Sequence, residues 1–367
     1  MLVVGGGIGG MSTAIVLQRL GLDVTLVERD ADWRAYGAGI TITGPTFRAL
    51  NRLGLLDEVL AAGYGGDGIR VCDINGVALR ELTTPRPLDA DVPGTGGILR
   101  TVLHRILADA TVASGTRVRT GTTVSELSQD AGRVAATFSD GTMHRFDLLI
   151  GADGINSSIR PMVIPDAPSP AYTGQSCWRL TVPRTEGIER RHFFLGGPVK
   201  AGLTPVSRDE MYMFLLENEI RTRVRPERAH IELRELMHPF GGIIGELRDG
   251  LTMSSNIIVR PLEAFRLPGP WCRQHVLLIG DAAHPTTPQL ASGAGMAIED
   301  AVVLGQEIQG SSSIEIAFAR FMQRRYERCR LIVDNSLEIG RREQSGAPIE
   351  SQTALVEDSL KILAQPI

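Results

Sequence analysis

The sequence predicts an α/β protein in which a parallel βαβ layer is interleaved with a mostly antiparallel sheet and followed by C-terminal helices. Three observations predict it. A glycine-rich turn joins an apolar strand to a periodic helix within the first twenty residues. Two further apolar strands end in Asp153-Gly154 and Gly280-Asp281. Between Pro168 and Pro270 the pattern turns to alternating segments. At 367 residues the chain can hold two core-sized units or one large interleaved body.

Composition narrows the partners. An apolar fraction of 43% with 22% charged residues is ordinary for a soluble globular chain. A formal charge of −4 leaves no electrostatic footprint for nucleic acid or an anionic membrane. No stretch approaches the roughly 20 apolar residues of a membrane span. The apolar start lacks a basic leader and its first cation is Arg19, so a cytoplasmic protein is expected. Four scattered cysteines without a C-x-x-C pair, and histidines without ligand spacing, argue against a metal site or a disulfide framework. A small soluble ligand is the expected partner, and the chain is expected to be a monomer or homodimer.

The amino-terminal elements form a dinucleotide loop. Leu2 to Val4 is a short strand, Gly5 to Gly10 supplies G-x-G-x-x-G, and an apolar helix runs to Leu20. Gly5 serves the tight turn, Gly7 the approach of a pyrophosphate, and Gly10 the close packing of helix on strand. The helix N-terminus offers unpaired N–H groups and a positive dipole end to phosphates. The next strand, "DVTLVE", ends at Glu28, eighteen residues beyond Gly10, where a carboxylate meets a ribose diol. The pattern does not distinguish NAD from FAD.

Two later strands carry polar turns. "FDLLIGADGINSSIR" ends in Asp153-Gly154 with Ser157 and Arg160, which by itself reads as a strand, a turn and an Asx-type helix cap. "QHVLLIGDAAHPTTPQLASGAGMAIEDAVVL" places Gly280, Asp281 and His284 at the end of an apolar strand and then a patch of very small residues before a helix. So little side-chain bulk beside an acid points to a loop lying against a large ligand.

In this order the three motifs resemble the flavin-dependent aromatic hydroxylases, the single-component FAD monooxygenases related to para-hydroxybenzoate and salicylate hydroxylases. The resemblance covers most of the chain, including "YGAGITITGPTFRALNRLGLLDEV", "LRTVLHRIL" with Arg100, and "RFMQRRYERCR". It implies a Rossmann-like FAD-binding domain from residues 1–70, 97–167 and 271–310. It also implies a substrate-binding sheet domain from 71–96 and 168–270, and a helical segment over 311–367. FAD would be contacted by Gly5, Gly7, Ile8, Gly10, Glu28, Arg29, Arg100, Val124, Asp153, Gly280, Asp281, Pro288, Gly293, Ala294, Gly295 and Met296. Asp281 would bond a ribityl hydroxyl, and the helix N-terminus after Gly293 would face the flavin. Family members commonly carry Gly-Gln-Gly after the proline, where this chain reads Leu290 to Gly295 without that triplet. His284 is expected to fix the turn.

The implied activity is hydroxylation of a small aromatic or heteroaromatic substrate with O₂ through a C4a-hydroperoxyflavin. NADH or NADPH would act as a transient electron donor, since no second nucleotide motif is present. The segments "QSCWRLTV", "RHFFLGG", "KAGLTPV", "EMYMFLLE" and "TMSSNIIV" read as strands of the substrate sheet, joined by "GIRVCDINGVALREL". Lys200 and Tyr212 match places where related hydroxylases of small oxygenated rings carry a cation and a tyrosine. With Pro288 they are the candidate catalytic residues. The alternatives are a flavin oxidase, reductase or halogenase; the W-x-W-x-I stretch usual in halogenases is absent from this sequence. No Gly-x-Ser-x-Gly elbow supports a hydrolase.

Overall fold

The computed structural model describes residues 1–130, 132–221 and 224–367. Four three-residue apolar strands, each wholly buried, form the centre of the first layer, as expected where helices cover both faces of a parallel sheet. Leu2–Val4 lies at its middle, flanked in parallel by Leu149–Gly151 and Thr25–Val27. Val276–Leu278 and Arg117–Arg119 extend it, and Cys272–Arg273 adds one antiparallel edge. The two later motifs therefore follow strands adjacent to one another, on the same side as the glycine loop. The turns after all three strands converge because parallel strands end together.

The second layer is a seven-stranded sheet in the order Ile258–Ala264, Ala171–Pro183, Glu210–Glu217, Lys200–Pro205, Arg191–Phe194, Ile69–Cys72 and Ala78–Leu82. All its pairings are antiparallel except that of Arg191–Phe194 with Ile69–Cys72. One face buries Trp178, Leu203, Met213 and Leu215 against helices Pro226–Leu236 and Gly242–Asp249. The other carries Cys177, Tyr212, Phe214 and Leu216. A short sheet of Gly39–Thr43, Thr95–Leu99 and Tyr64–Gly66 lies between the layers and touches the second face, where Thr41 Oγ1 is 3.3 Å from Thr204 Oγ1.

Two sequence expectations change here. The segment "TMSSNIIV" enters the sheet only at Ile258. Its first half is a turn in which Thr252 N–H donates to Ser255 Oγ, the competition with strand pairing that serine side chains offer. Residues 226–249, within the region expected to alternate, instead form two helices. Their apolar stripe is narrow, with only Ala229 and Leu233 buried in the first and Ile244 and Gly245 in the second.

The helix Ile314–Gln344, about 46 Å long at 1.5 Å per residue, runs across both layers. It delivers Arg325 and Arg328 to the first layer and Glu343 to the second.

Candidate functional site

The three turns are fastened to one another before any ligand is considered. Gly5 has φ +106°, and a Cβ there would lie 2.4 Å from the Ala152 carbonyl oxygen, so the first turn seats directly on the second. Arg160, buried over the Phe265 ring, donates Nη1–H to the Ala282 carbonyl and Nη2–H to that of Ile155, which ties the second turn to the third. The Asp153 carboxylate accepts from Ser158 N–H at 2.7 Å and Ile159 N–H at 3.1 Å, capping the short helix Ile159–Val163.

The Gly280-Asp281 turn is held from below by buried charge. Asp300 accepts from Gly280 N–H at 2.9 Å, pairs with His284 Nε2 at 2.7 Å, and receives Arg325 Nε–H at 2.8 Å. Glu299 beside it accepts from Arg48, Arg325 and Arg328. Burial works against the imidazolium of His284, but Cys329 and the Asp300 carboxylate outweigh it and hold its pKa well above the ordinary value. His284 thus fixes the turn through its pairing with Asp300. His284, Asp300 and Cys329 also place one potential ligand atom each within 4.8 Å of one another. The guanidinium of Arg325, donating to Asp300 and reaching Cys329 Sγ at 3.6 Å, sits among those atoms and makes them part of an ion network.

Above the turns, a cleft of about 960 Å³ opens between the first layer and the aromatic face of the seven-stranded sheet. That is the upper end of the range for small-molecule sites. Gly7, Ile8, Arg100, Gly280, Asp281, Pro288, Gly293 and Ala294 line one wall; Lys200, Tyr212, Phe214 and Leu216 line the other. The structure therefore joins both groups of predicted residues in one space.

Other expected residues stand away from the cleft lining. Gly5 and Gly10 shape the loop from behind. Val124 is in the core. Asp153 is engaged as the helix cap, and its other oxygen, Oδ1, is buried without a partner. Met296 turns inward, its carbonyl and sulfur taken by Arg325, and Gly295 packs against Thr46. Arg29 is exposed at the surface. The Glu28 carboxylate accepts from Gly6 N–H at 2.6 Å and Asp30 N–H at 2.7 Å, so it braces the loop with acceptor capacity to spare.

The wall residues fit a bound dinucleotide. The helix Ile8–Arg19 begins at Gly7 with no side-chain cap and no acid in its first turn, leaving its first N–H groups free. A Cβ on Gly7 would meet nothing within 4 Å, so that position faces open cleft. Thr287 Oγ1 and Gln289 Oε1 are buried at the same wall without partners, acceptors and donors awaiting a polar ligand. Asp281 stands at the cleft surface, reached by solvent. Burial by the walls raises its pKa, against the pull of His284 and Arg100.

Residues 1–312 match the family model described as FAD binding domain. The chain belongs to that family. It is 33% identical over 353 residues to the 2-heptyl-3-hydroxy-4(1H)-quinolone synthase of Pseudomonas aeruginosa, covering 95% of this chain and 90% of that protein. It is 30% identical over 352 residues to the FAD-dependent urate hydroxylase of Klebsiella oxytoca, covering 90% and 87%. The crystal structure of Klebsiella pneumoniae HpxO complexed with FAD and uric acid superposes with a TM-score of 0.82 at 25% identity, covering 99% of this chain and 92% of that one. FAD is the cofactor, and the protein is an FAD-dependent oxidoreductase of the monooxygenase kind.

If Asp281 accepts a hydroxyl of FAD, as the resemblance implies, Asp281→Ala is expected to weaken FAD binding by about 1 to 3 kcal/mol, a 5- to 150-fold rise in Kd. The turn should persist, since Asp300 and Arg160 hold it through Gly280 N–H and the Ala282 carbonyl. Titration of folded apo-protein with FAD, checked by circular dichroism, measures this; parental affinity would place Asp281 outside the FAD contact.

The sequence leaves Trp178-Arg179 open between pocket wall and domain interface, and does not single out Arg191. Arg179 and Arg191 line the cleft, and Arg179 Nε–H donates to the Tyr212 oxygen at 3.1 Å. The available signal was register: Arg191 alternates with Phe193 and Leu195, and Arg179 with Cys177, so each puts a charge on an otherwise apolar face.

Proposed function

We propose that the protein uses NAD(P)H and O₂ to hydroxylate a small aromatic or heteroaromatic ring held between its two layers. The observation that supports this most is the single cleft shared by the dinucleotide loop and an aromatic, cationic sheet face. FAD bound there would supply the redox and oxygen-transfer chemistry that side chains lack. The backbone from Gly5 to Gly10, Glu28, Asp281 and the segment from Gly293 to Ala297 would hold it, with residues 1–70, 97–167 and 271–310 as its domain. Residues 71–96 and 168–270 would then supply the substrate side, and 311–367 the helices that bind the two together.

On the substrate side the chain's own groups have distinct work. Phe214 and Leu216 present apolar surface to a ring and keep water from it. Burial, opposed by Arg179, pushes the Tyr212 pKa up to about 12, so the phenol keeps its proton at neutral pH. With Arg179 donating to its oxygen, Tyr212 has its own O–H to give to an oxygen on the substrate. Lys200 is held 2.8 Å from Glu343 and 4.2 Å over the Phe193 ring, which makes it a positioned charge in the wall and not a mobile base. Pro288 starts a short 3₁₀ turn that brings backbone to the cleft before Ala291 turns away at φ 51°.

The test is oxygen uptake by the FAD-loaded protein with NADH or NADPH over hydroxybenzoates, hydroxypyridines, purines and quinolones. The reading expects at least one ring to yield hydroxylated product in near-equal amount to the nicotinamide consumed. Consumption that ends wholly in hydrogen peroxide for every ring would contradict it.

A further inference from the structure

Five cations line the cleft: Arg260, whose Nη1–H goes to the Val259 carbonyl, and Arg100, Arg179, Arg191 and Lys200, which are not equivalent. Lys200 is matched inside the protein: Glu343 Oε1 is 2.8 Å from Nζ, and the other carboxylate oxygen accepts from Gln289 at 3.2 Å. Gln289 Nε2 also donates to Gln175, so the pair is locked by amides on both sides. Arg179 has Tyr212 as its acceptor. Arg100 lies towards the wall that carries Asp281, whose carboxylate acts on it.

Arg191 differs from all three. It is only 5% exposed, its Nε is buried without an acceptor, and no hydrogen bond among the described residues uses its guanidinium. Its guanidinium carbon lies over the Phe193 ring, 4.6 Å from the centroid. Burial pushes its pKa down to about 10 with only Tyr212 pulling back, so it is still a cation at neutral pH. An unpaired buried charge opposes folding, and the opposition is relieved when an anion pairs with it.

We infer that Arg191 is the residue that receives an anionic group of the substrate, a carboxylate on its aromatic ring, in place of Lys200, whose charge is already satisfied by Glu343. The inference rests on the proposal that a substrate ring occupies the sheet side of the cleft. Strand register supports the placement. His192 pairs with Leu203, which sets Arg191 beside Thr204, and Thr204 pairs with Tyr212. Arg191 and Tyr212 therefore lie along one row of the same face, and both line the cleft together with Phe214. A planar carboxylate matches the guanidinium fork, and the ring behind it meets apolar surface. The neutral amide of the same acid lacks the charge and cannot accept the fork through two equal oxygens.

Binding of matched pairs, benzoic, pyridine and quinoline carboxylic acids against their amides, to the FAD-loaded protein tests this by calorimetry. The parent is expected to prefer the acids by about 10- to 100-fold. Arg191→Gln should bring each pair to near-equal affinity while the flavin spectrum and FAD affinity stay unchanged. Arg191→Lys should keep part of the preference, which separates lost charge from lost folding. Acids and amides bound equally by the parent, acids that fail to bind at all, or an Arg191→Gln protein that keeps FAD and the full preference would each overturn the inference. A parent that does not take up FAD would instead strike the underlying functional reading, and absorbance before titration reveals that case.

Discussion

Gly10→Ala is expected to abolish FAD binding and to destabilise the fold itself, because a Cβ at this position would lie 1.8 Å from the Gly5 carbonyl oxygen. The atom it meets belongs to the backbone, so no side chain can rotate to relieve the contact. Either the helix Ile8–Arg19 moves off the strand or the turn opens. Overpacking of this kind costs on the order of 3 kcal/mol or more, and a shift of the helix N-terminus removes the phosphate site in addition. Gly7→Ala provides the contrast. Its backbone, at φ −81° and ψ −175°, suits any residue, and its Cβ would meet no protein atom within 4 Å. The Gly7 variant should keep the parental melting temperature and lose FAD affinity alone. Thermal melts of the two apo-proteins, with FAD titration of each, give the comparison. A Gly10→Ala protein that is stable and yellow would contradict the account of the loop.

Glu299→Ala is expected to be as damaging without touching the cleft. It would leave Arg48 and Arg325, both with wholly buried side chains, and the mostly buried Arg328 without the carboxylate they share. Removing one side of a buried ion network costs roughly 3 to 5 kcal/mol, mostly as uncompensated charge. The same network sets an acid limit. Burial alone would raise the Glu299 pKa, but Arg325, Arg328 and Arg48 bring it from 4.5 to about 2. A folded-state pKa below the unfolded one stabilises above the unfolded value and loses that stabilisation as pH falls through the folded value. Parental stability should therefore decline between pH 4.5 and about 2, and Glu299→Gln should lack this part of the decline. Urea midpoints of both proteins across that range test it; parallel curves would show that Glu299 titrates alike in both states.

What could be read in advance follows the range of each interaction. The glycine loop, the Asp153 cap and the Gly280-Asp281 turn are local, formed by residues within a few positions on one strand end, and their chemistry was visible in the order of residues. The same reading placed Lys200 and Tyr212 on adjacent strands around Thr204-Pro205, and strand register sets them on one face. The state of Lys200 was not readable, because the group that matches its charge, Glu343, is 143 residues away on a helix that crosses both layers. His284 was expected to fix its turn, but Asp300 and Arg325, which let it do so, belong to two later helices. Arg191 was hidden in a short strand beside two phenylalanines, where its register mattered more than its identity. The helices of residues 226–249 were missed because so few of their residues are buried that their period was faint.

Hydroxylation under ¹⁸O₂ tests the central claim most directly. With FAD-loaded protein, NAD(P)H and an aromatic acid that the cleft binds, the account predicts product carrying one ¹⁸O atom, formed in step with nicotinamide oxidation. Product oxygen drawn from water, or nicotinamide oxidation that leaves every bound ring unlabelled and all label in hydrogen peroxide, would contradict it.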